Sequence, residues 1–468
     1  MRRARAWSVA VILVVASASP TFAATGTTTV EPTPGPAGRC VDLRRDVGGR
    51  YVDDAILVKF ARTLSGDQAI AFALEEGITE VSRPASGGWR RFAIRAGADP
   101  IAVANRVAAN ARVDCAVPLA LSSPFPAFPQ TPPNDPKWPN QWGHQLVGMQ
   151  VAWQIAGGGN SSHFIAFIDS GIDGTHPDLG SVHGKSFTGT SGWTDHCPLV
   201  GGHGTGVAGV AAAFANNGKA IAGAAYNAGI RSYRVSEGCG DADPQDAADA
   251  IYWAVDHDAW VINFEPIWTV PPPPTPQEME VVHDAIKYAW NHNVPVVVPV
   301  GNNNFSRFDY PTSGCGNPFD LIPDDWCVVY PALWPEVITV GGTMKDANGT
   351  TVRWTEGSGD SMGGSNYGLP GIDVSAPAND IWTTANGGGT VLQDGTSFAA
   401  PLVAGVVYIM KSLHPGWTSQ QFKNALWTTA DALGPYNYNW NTNFCGPSPY
   451  QSAELGCGLL DADGAVLQ

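Results

Sequence analysis

Three residue types that together could carry out acyl transfer, an aspartate, a histidine and a serine, stand in distinctive segments of this 468-residue chain. Asp169 follows the apolar run 164–168 and precedes Ser170 and Gly171. An apolar strand ending in a carboxylate places it at the carboxyl edge of a parallel sheet, where catalytic groups of open α/β sheets collect. Taken alone, a turn or helix-capping aspartate is the simpler interpretation.

The other two residues lie at predicted helix starts. His203 is flanked by glycines and precedes the small-residue stretch 205–214, so it can present an imidazole at the end of a closely packed helix. A structural histidine or a metal ligand fits this segment equally well. Ser397 follows Gly395 and precedes the helical stretch 402–410, where free N–H groups and the helix dipole can stabilise an oxyanion. An ordinary N-cap serine is the alternative.

These three segments, in the order Asp, His, Ser, resemble those of the subtilisin-like serine proteases. The resemblance runs from about Asn134 to the C-terminus and includes Asn302, which ends the apolar run 296–300 after Gly301. It implies that Asp169 orients His203, that His203 deprotonates Ser397, and that Asn302 donates to the oxyanion. We expect a serine endopeptidase that needs no cofactor for catalysis and acts on proteins or peptides. A catalytically silent binding module of the same fold is the alternative.

The elements that must position these residues alternate along the chain. Continuous apolar runs separated by Ala- and Gly-rich helical stretches favour a buried parallel sheet. The runs span residues 164–168, 260–264, 294–300 and 337–340, and the helical stretches span 205–214 and 245–256. The fold class implied by the resemblance is α/β, a subtilisin-like three-layer fold with a mostly parallel central sheet, preceded by a small α/β domain.

One segment departs from the family pattern. The strand lining the primary pocket usually reads Asn-Met-Ser-Leu-Gly, whereas this chain has Asn263-Phe264-Glu265-Pro266-Ile267. Gly301 and Glu265 are therefore the candidate substrate-binding residues. Glu265 either favours basic substrate residues or points away into water.

We assign no metal ligand. The resemblance suggests a structural calcium site formed by Asp178 and the loop 214–221, with Asn217 as a side-chain ligand. Lys219 lies unfavourably close to that loop for a cation site.

The N-terminus predicts export. Residues 1–24 combine three arginines, a short apolar run and a small-residue cleavage site, which is typical of a secretory signal peptide, and the run is too short to span a membrane. Residues 25–128 carry twelve basic and eleven acidic residues, whereas residues 129–468 carry eleven and 31. This shift, at the Pro-rich stretch 124–136, predicts a domain boundary. We expect a secreted monomer with a 25–128 propeptide that transiently inhibits a 129–468 peptidase domain.

The overall composition limits the partners. The formal net charge of −16 argues against a nucleic-acid binder, because phosphate backbones require basic surfaces. After the first apolar run, every further one is interrupted by charges, Gly or Pro, so no membrane partner is expected. The eight cysteines suit disulfides in an exported protein. Because a released propeptide cannot stay tethered, we expect Cys40 to pair with Cys115. Short loops favour Cys315–Cys327 and Cys445–Cys457. Cys197 and Cys239 then remain for each other, with a free thiol near His203 as the alternative.

Overall fold

The structure is a computed structural model. It describes residues 50–60, 66–85, 89–95, 98, 100–121, 132–198, 201–239, 242–270, 277–304, 328–355, 363–368, 371–433, 436, 445, 452 and 454–468. The predicted signal peptide, the Pro-rich stretch up to residue 131, Cys40, Cys315 and Cys327 lie outside the described residues.

The N-terminal part has its own small core. Its elements are β1 (Arg50–Phe60), α1 (Gly66–Glu76), β2 (Thr79–Ala85), β3 (Trp89–Ala93), α2 (Pro100–Ala108) and β4 (Val113–Leu121). The strands form an antiparallel sheet in the order β2-β3-β1-β4, which is the split βαβ arrangement. Phe72 and Phe92 are fully buried at its centre. Strands and helices thus alternate in this part, as expected for a small α/β domain.

The larger part is built around a mostly parallel sheet. Its strands are β5 (Phe164–Asp169), β6 (His183–Ser186), β7 (Gly229–Arg234), β8 (Val261–Phe264), β9 (Trp268–Val270), β10 (Val296–Pro299), β11 (Val328–Tyr330), β12 (Ile338–Lys345), β13 (Thr351–Arg353), β14 (Val374–Pro377), β15 (Ile381–Ala385) and β16 (Gly389–Gln393). The central sheet has the order β13-β12-β10-β8-β5-β7-β6, with β14 also paired to β12. Every described pairing in it is parallel except β12–β13.

Helices cover this sheet. They are α3 (Trp142–Leu146), α4 (Met149–Ala156), α5 (Gly204–Ala212), α6 (Pro244–Asp256), α7 (Gln277–Asn291), α8 (Thr396–Leu413), α9 (Ser419–Thr429) and α10 (Ala462–Val466). The apolar side chains divide into two cores: α5 and α8 contribute to one, and α6 and α7 to the other. The fold is therefore the expected three-layer α/β arrangement, in which apolar strands are buried on both faces.

Helix α8 lies in the centre of the molecule. Among the described residues it is the one helix long and apolar enough to cross a membrane, and most of it is buried inside the protein. Pro401 lies within it, in its first two turns, where few intrahelical bonds are lost. Burial of this helix fixes the position of its N-terminal residues.

Two disulfides join described cysteines. Cys197 is bonded to Cys239 and Cys445 to Cys457, which confirms both expected pairs. Cys115 is also disulfide-bonded, and its expected partner Cys40 lies outside the described residues.

Candidate active site

The site lies where three adjacent parallel strands end. Asp169 is the last residue of β5, Glu265 directly follows β8, and Asn302 follows β10 after a two-residue turn. Because β5, β8 and β10 are neighbours in the sheet, their carboxyl ends meet at one edge. His203 precedes α5 and Ser397 is in the first turn of α8, so both helices begin over that edge.

Asp169 holds the imidazole of His203. The His203 Nδ1 atom lies 2.9 Å from Oδ1 and 3.0 Å from Oδ2 of Asp169. The Asp169 side chain is 4% exposed, whereas that of His203 is 18% exposed. A carboxylate at Nδ1 favours the tautomer with its proton on that atom, which leaves Nε2 as the base. The structure thus brings the sequence-predicted pair together through Nδ1.

The close approach of α5 to β5 depends on Gly204. A Cβ atom at this position would lie 2.2 Å from the Gly171 carbonyl oxygen and 3.0 Å from Cγ of Asp169. Helix α5 is buried along its whole length. On its other side, Thr384 Oγ1 donates to the Thr205 carbonyl at 2.7 Å. The small residues therefore pack as the sequence indicated.

Asp195 is a supporting residue that sequence reasoning missed. It accepts hydrogen bonds from the Thr205 N–H at 2.9 Å, the Thr205 hydroxyl at 2.7 Å and the Ser170 hydroxyl at 2.9 Å. It thereby ties the start of α5 to the turn after β5. Burial raises the pKa of Asp195, and its bonds to Thr205 partly offset this. Its position two residues before the disulfide-bonded Cys197 was the available sequence signal.

Asn302 is oriented towards the serine. Its Oδ1 accepts from the Thr396 N–H at 2.9 Å and from the Thr396 hydroxyl at 2.8 Å, so the Nδ2 donor faces the opposite way. Both Asn302 Nδ2 and the Ser397 N–H border the space above Gly395, at 3.6 and 3.7 Å from an idealised Cβ there. Two donors beside a partly exposed serine hydroxyl can accommodate an oxyanion.

Gly301 supports Asn302 through its backbone. Its N–H donates to Thr396 Oγ1 at 3.2 Å and its carbonyl accepts from the Asn366 N–H at 2.9 Å. Its φ of +99° and the Asn366 Nδ2 atom 2.5 Å from an added Cβ restrict this position to glycine. The backbone groups of Gly301 are thus already engaged within the protein.

Glu265 does not point into water. It is 8% exposed, and its Oε1 accepts from Asn263 Nδ2 at 2.8 Å. Of the two alternatives left open by the sequence, the solvent-facing one is wrong, because the side chain is buried beside His203 and Ser397. Burial raises the pKa of Glu265 to about 8, although the charge of His203 opposes the rise.

The electrostatic surroundings make His203 a stronger base than a free histidine. Burial alone would lower its pKa, but the charge and hydrogen bond of Asp169, then the charges of Glu265 and Asp195, outweigh it and raise the pKa to about 9. An imidazolium in this site is stabilised by carboxylates on more than one side.

The calcium ligands suggested by the resemblance are used within the protein. The Asp178 carboxylate accepts from Asn217 Nδ2 at 2.6 Å and from the Ile221 N–H at 3.1 Å. Lys219 Nζ donates to the Pro177 carbonyl at 3.3 Å and supplies a positive charge to the same loop. Each Asp178 oxygen already accepts one donor and an ammonium lies nearby, so these contacts give no support for a calcium ion and none is assigned.

Comparisons with known proteins show which family this chain is similar to. Residues 160–448 match the profile of the Subtilase family, Peptidase_S8. A thermophilic serine proteinase of Bacillus sp. (strain AK1) is 30% identical over 390 residues, covering 82% of this chain and 84% of the relative. Thermitase of Thermoactinomyces vulgaris is 32% identical over 315 residues, or 66% and 95% of the two chains.

Solved structures share the fold. Fervidolysin from Fervidobacterium pennivorans, described as a keratinolytic enzyme related to subtilisin, superposes with a TM-score of 0.53 at 24% identity and covers 91% of this chain and 62% of its own. A protease from Pseudoalteromonas arctica has a TM-score of 0.55 at 24% identity over 72% of this chain and 99% of its own. With a family match over well more than half of its residues, the chain belongs to the subtilase family, and its relatives named here are serine proteases.

Proposed function

We propose that the protein is a secreted serine endopeptidase in which Asp169, His203 and Ser397 form the catalytic triad. The observation that carries the proposal is the buried Asp169 carboxylate bonded to His203 Nδ1, beside the first turn of α8, which contains Ser397. Asn302 Nδ2 and the Ser397 N–H are the proposed oxyanion donors. The chemistry uses side chains and backbone alone, without a cofactor.

The reaction follows from these positions. His203 Nε2 takes the Ser397 proton while Oγ attacks the substrate carbonyl, and Asp169 stabilises the resulting imidazolium. The carbonyl oxygen becomes an oxyanion held by the two donors. His203 then passes its proton to the leaving amine, which gives an acyl-enzyme. Water deacylates this ester by the same steps, with His203 again as base.

The substrate is proposed to be a protein or peptide chain, as for the protease relatives. Gly301 acts on it indirectly, by fixing Asn302 through bonds to Thr396 and Asn366. The N-terminal part is the proposed propeptide, since it has a separate core and precedes the Pro-rich stretch. Its described contacts to the rest include an ion pair between Arg91 and Asp463.

A labelling experiment tests the assignment of Ser397. Wild type should react covalently with a fluorophosphonate probe and hydrolyse a denatured protein substrate, whereas Ser397→Ala should do neither. The matched control is Ser181→Ala, which removes the hydroxyl of an exposed serine in the connection between β5 and β6. Failure of wild type to label would instead favour the alternative of a silent binding module.

A further inference from the structure

The residue after β8 introduces an extra carboxyl group into the proposed catalytic site. The subtilisin-like pattern usually has a serine where this chain has Glu265. The Glu265 N–H donates to the Ile168 carbonyl at 3.1 Å, so its backbone is fixed against the strand that ends in Asp169. Its position is therefore set by the sheet rather than by a loop.

The two carboxyl oxygens of Glu265 differ, because one accepts a regular hydrogen bond and the other does not. Oε1 accepts from Nδ2 of the fully buried Asn263 at 2.8 Å. The buried Oε2 has no hydrogen-bond partner of normal geometry within the described part of the chain. One imidazole nitrogen of His203 and one carboxyl oxygen each of Asp169 and Glu265 all lie within 4.8 Å of one another. The Ser397 hydroxyl also interacts with the Glu265 carboxyl. Burying a carboxyl with only one oxygen in a regular hydrogen bond is costly, which argues that Glu265 has a role beside His203 and Ser397.

The charged groups that act most strongly on His203 are carboxylates. Asp169 faces it from β5, Asp195 from the loop before α5, and Glu265 from the end of β8. The pKa of His203 is raised to about 9, and burial raises that of Glu265 to about 8 against the opposing charge of His203. Two groups this close titrate together, so their protons belong to the pair rather than to either residue.

We propose that Glu265 is a fourth ionisable member of the catalytic site, which exchanges a proton with His203 beside Ser397 and sets the pH at which His203 can act as a base. The exchange conserves charge and atoms: a carboxylic acid with a neutral imidazole becomes a carboxylate with an imidazolium. This inference rests on the proposed function, and it makes Glu265 a positioning residue for the proton rather than a nucleophile.

The consequence has a definite sign. A Glu265 carboxylate stabilises the imidazolium, so His203 keeps its proton to higher pH than it would beside a neutral side chain. Removing that charge should release the proton at lower pH. His203 then becomes available as a base at lower pH, and the acid limb of the pH profile of kcat/KM shifts to lower pH.

The primary test does not require activity. Full-length Ser397→Ala protein, labelled at histidine with ¹³C and ¹⁵N, is titrated by NMR, and the His203 signal is identified by its loss in a His203→Ala variant. Adding Glu265→Gln should lower the His203 midpoint by at least about half a pH unit, and replace a broadened curve by a single-site one. Glu265→Ser, the residue type usual in the family, should do the same, whereas Glu265→Asp should keep the midpoint high.

Glu280→Gln is the matched control, because it removes one negative charge from the exposed surface of α7. Equal His203 midpoints in the parent, Glu265→Gln and Glu265→Ser proteins would overturn the inference. The kinetic counterpart is the pH profile of kcat/KM in the mature enzyme. There Glu265→Gln should shift the acid limb to lower pH by the same half unit. Below the midpoint, the relative rate of the variant should therefore be about threefold higher than that of the wild type. A wild-type protein that fails to hydrolyse substrate would refute the proposed function. The NMR comparison would still decide whether Glu265 shifts the titration of His203.

Discussion

At the residue scale, the imidazole of His203 determines when the site can work. An unperturbed histidine titrates near about 6.5, which from the sequence alone places the loss of activity at neutral to mildly acidic pH. Asp169, Glu265 and Asp195 raise the pKa to about 9. Because a general base must be unprotonated, we predict that kcat/KM of the wild type rises through neutral pH and levels off only on the alkaline side. A profile that is flat between pH 5 and 8 would contradict this assignment of His203.

The orientation of Asn302 leads to a second prediction. Asn302→Ala removes the Nδ2 donor and should lower kcat by about 10²–10³ with little change in KM, because the donor serves the oxyanion rather than the bound substrate. Asn303→Ala, at the adjacent exposed position, is the control and should keep wild-type kcat. Steady-state kinetics on one peptide substrate distinguish the two. Equal losses in both variants would mean that the turn, and not the amide, matters.

Residues with distinctive neighbours could be recognised in the sequence, and residues whose role depends on tertiary contacts could not. Asp169, His203 and Ser397 each lie at a predicted element end, beside glycines. Asp195 lies in a loop without periodicity, and its function arises only because α5 begins next to it. Burial of Glu265 likewise depends on Asn263 and on the neighbouring strand β5.

At the scale of elements, the parallel order of β10, β8 and β5 brings residues from distant parts of the chain to one edge. The apolar runs predicted these strands and their burial, because strands covered on both faces are apolar throughout. Their order in the sheet could not be read from the runs themselves. It is fixed by which helix covers which face, as in the separate cores that α5 with α8 and α6 with α7 help to form.

The contact between α5 and β5 is sensitive to a single methyl group. Gly204→Ala would place its Cβ 2.2 Å from the Gly171 carbonyl oxygen, so the helix start and His203 must shift. We predict a loss of roughly 1–3 kcal/mol in unfolding free energy from overpacking, together with a large fall in kcat. Gly189→Ala is the control, since a Cβ there meets nothing within 4 Å. Denaturant unfolding and kinetics measured on both variants check this, and a fully active Gly204→Ala enzyme would refute it.

The Cys197–Cys239 disulfide braces the same region. It links the loop containing Asp195 to the segment after β7, and the Cys197 N–H donates to Asp195 Oδ1 at 3.0 Å. Replacing both cysteines by serine should cost about 2–4 kcal/mol of unfolding free energy through lost loop constraint. The Cys445–Cys457 pair, with a sequence separation of 12 rather than 42, is the comparison and should cost less. Thermal unfolding of the two double variants ranks them, and the reverse order would contradict the loop-length argument.

At the scale of the whole molecule, removal of the proposed propeptide is expected to need the proposed active site itself. If the N-terminal part is a propeptide cut off by the enzyme itself, Ser397→Ala should accumulate as a folded, full-length precursor, because the same nucleophile performs both cleavages. Mass spectrometry of protein made in a protease-deficient host measures this. Normal processing of the Ser397→Ala variant would show that another protease removes the N-terminal part.

The position of Ser397 on α8 also bears on the cell that makes the protein. Asp169 is synthesised early, but the proposed nucleophile Ser397 lies on a central helix that follows all sixteen described strands, and the described elements after it are α9 and α10. The segment around Leu460 is needed as well, since the Leu460 N–H donates to the Ser375 carbonyl of β14 at 2.8 Å. A chain emerging from the ribosome therefore lacks this contact until the segment around Leu460 has been made. For the proposed endopeptidase, the order of the elements along the chain would delay proteolysis until synthesis has passed this segment.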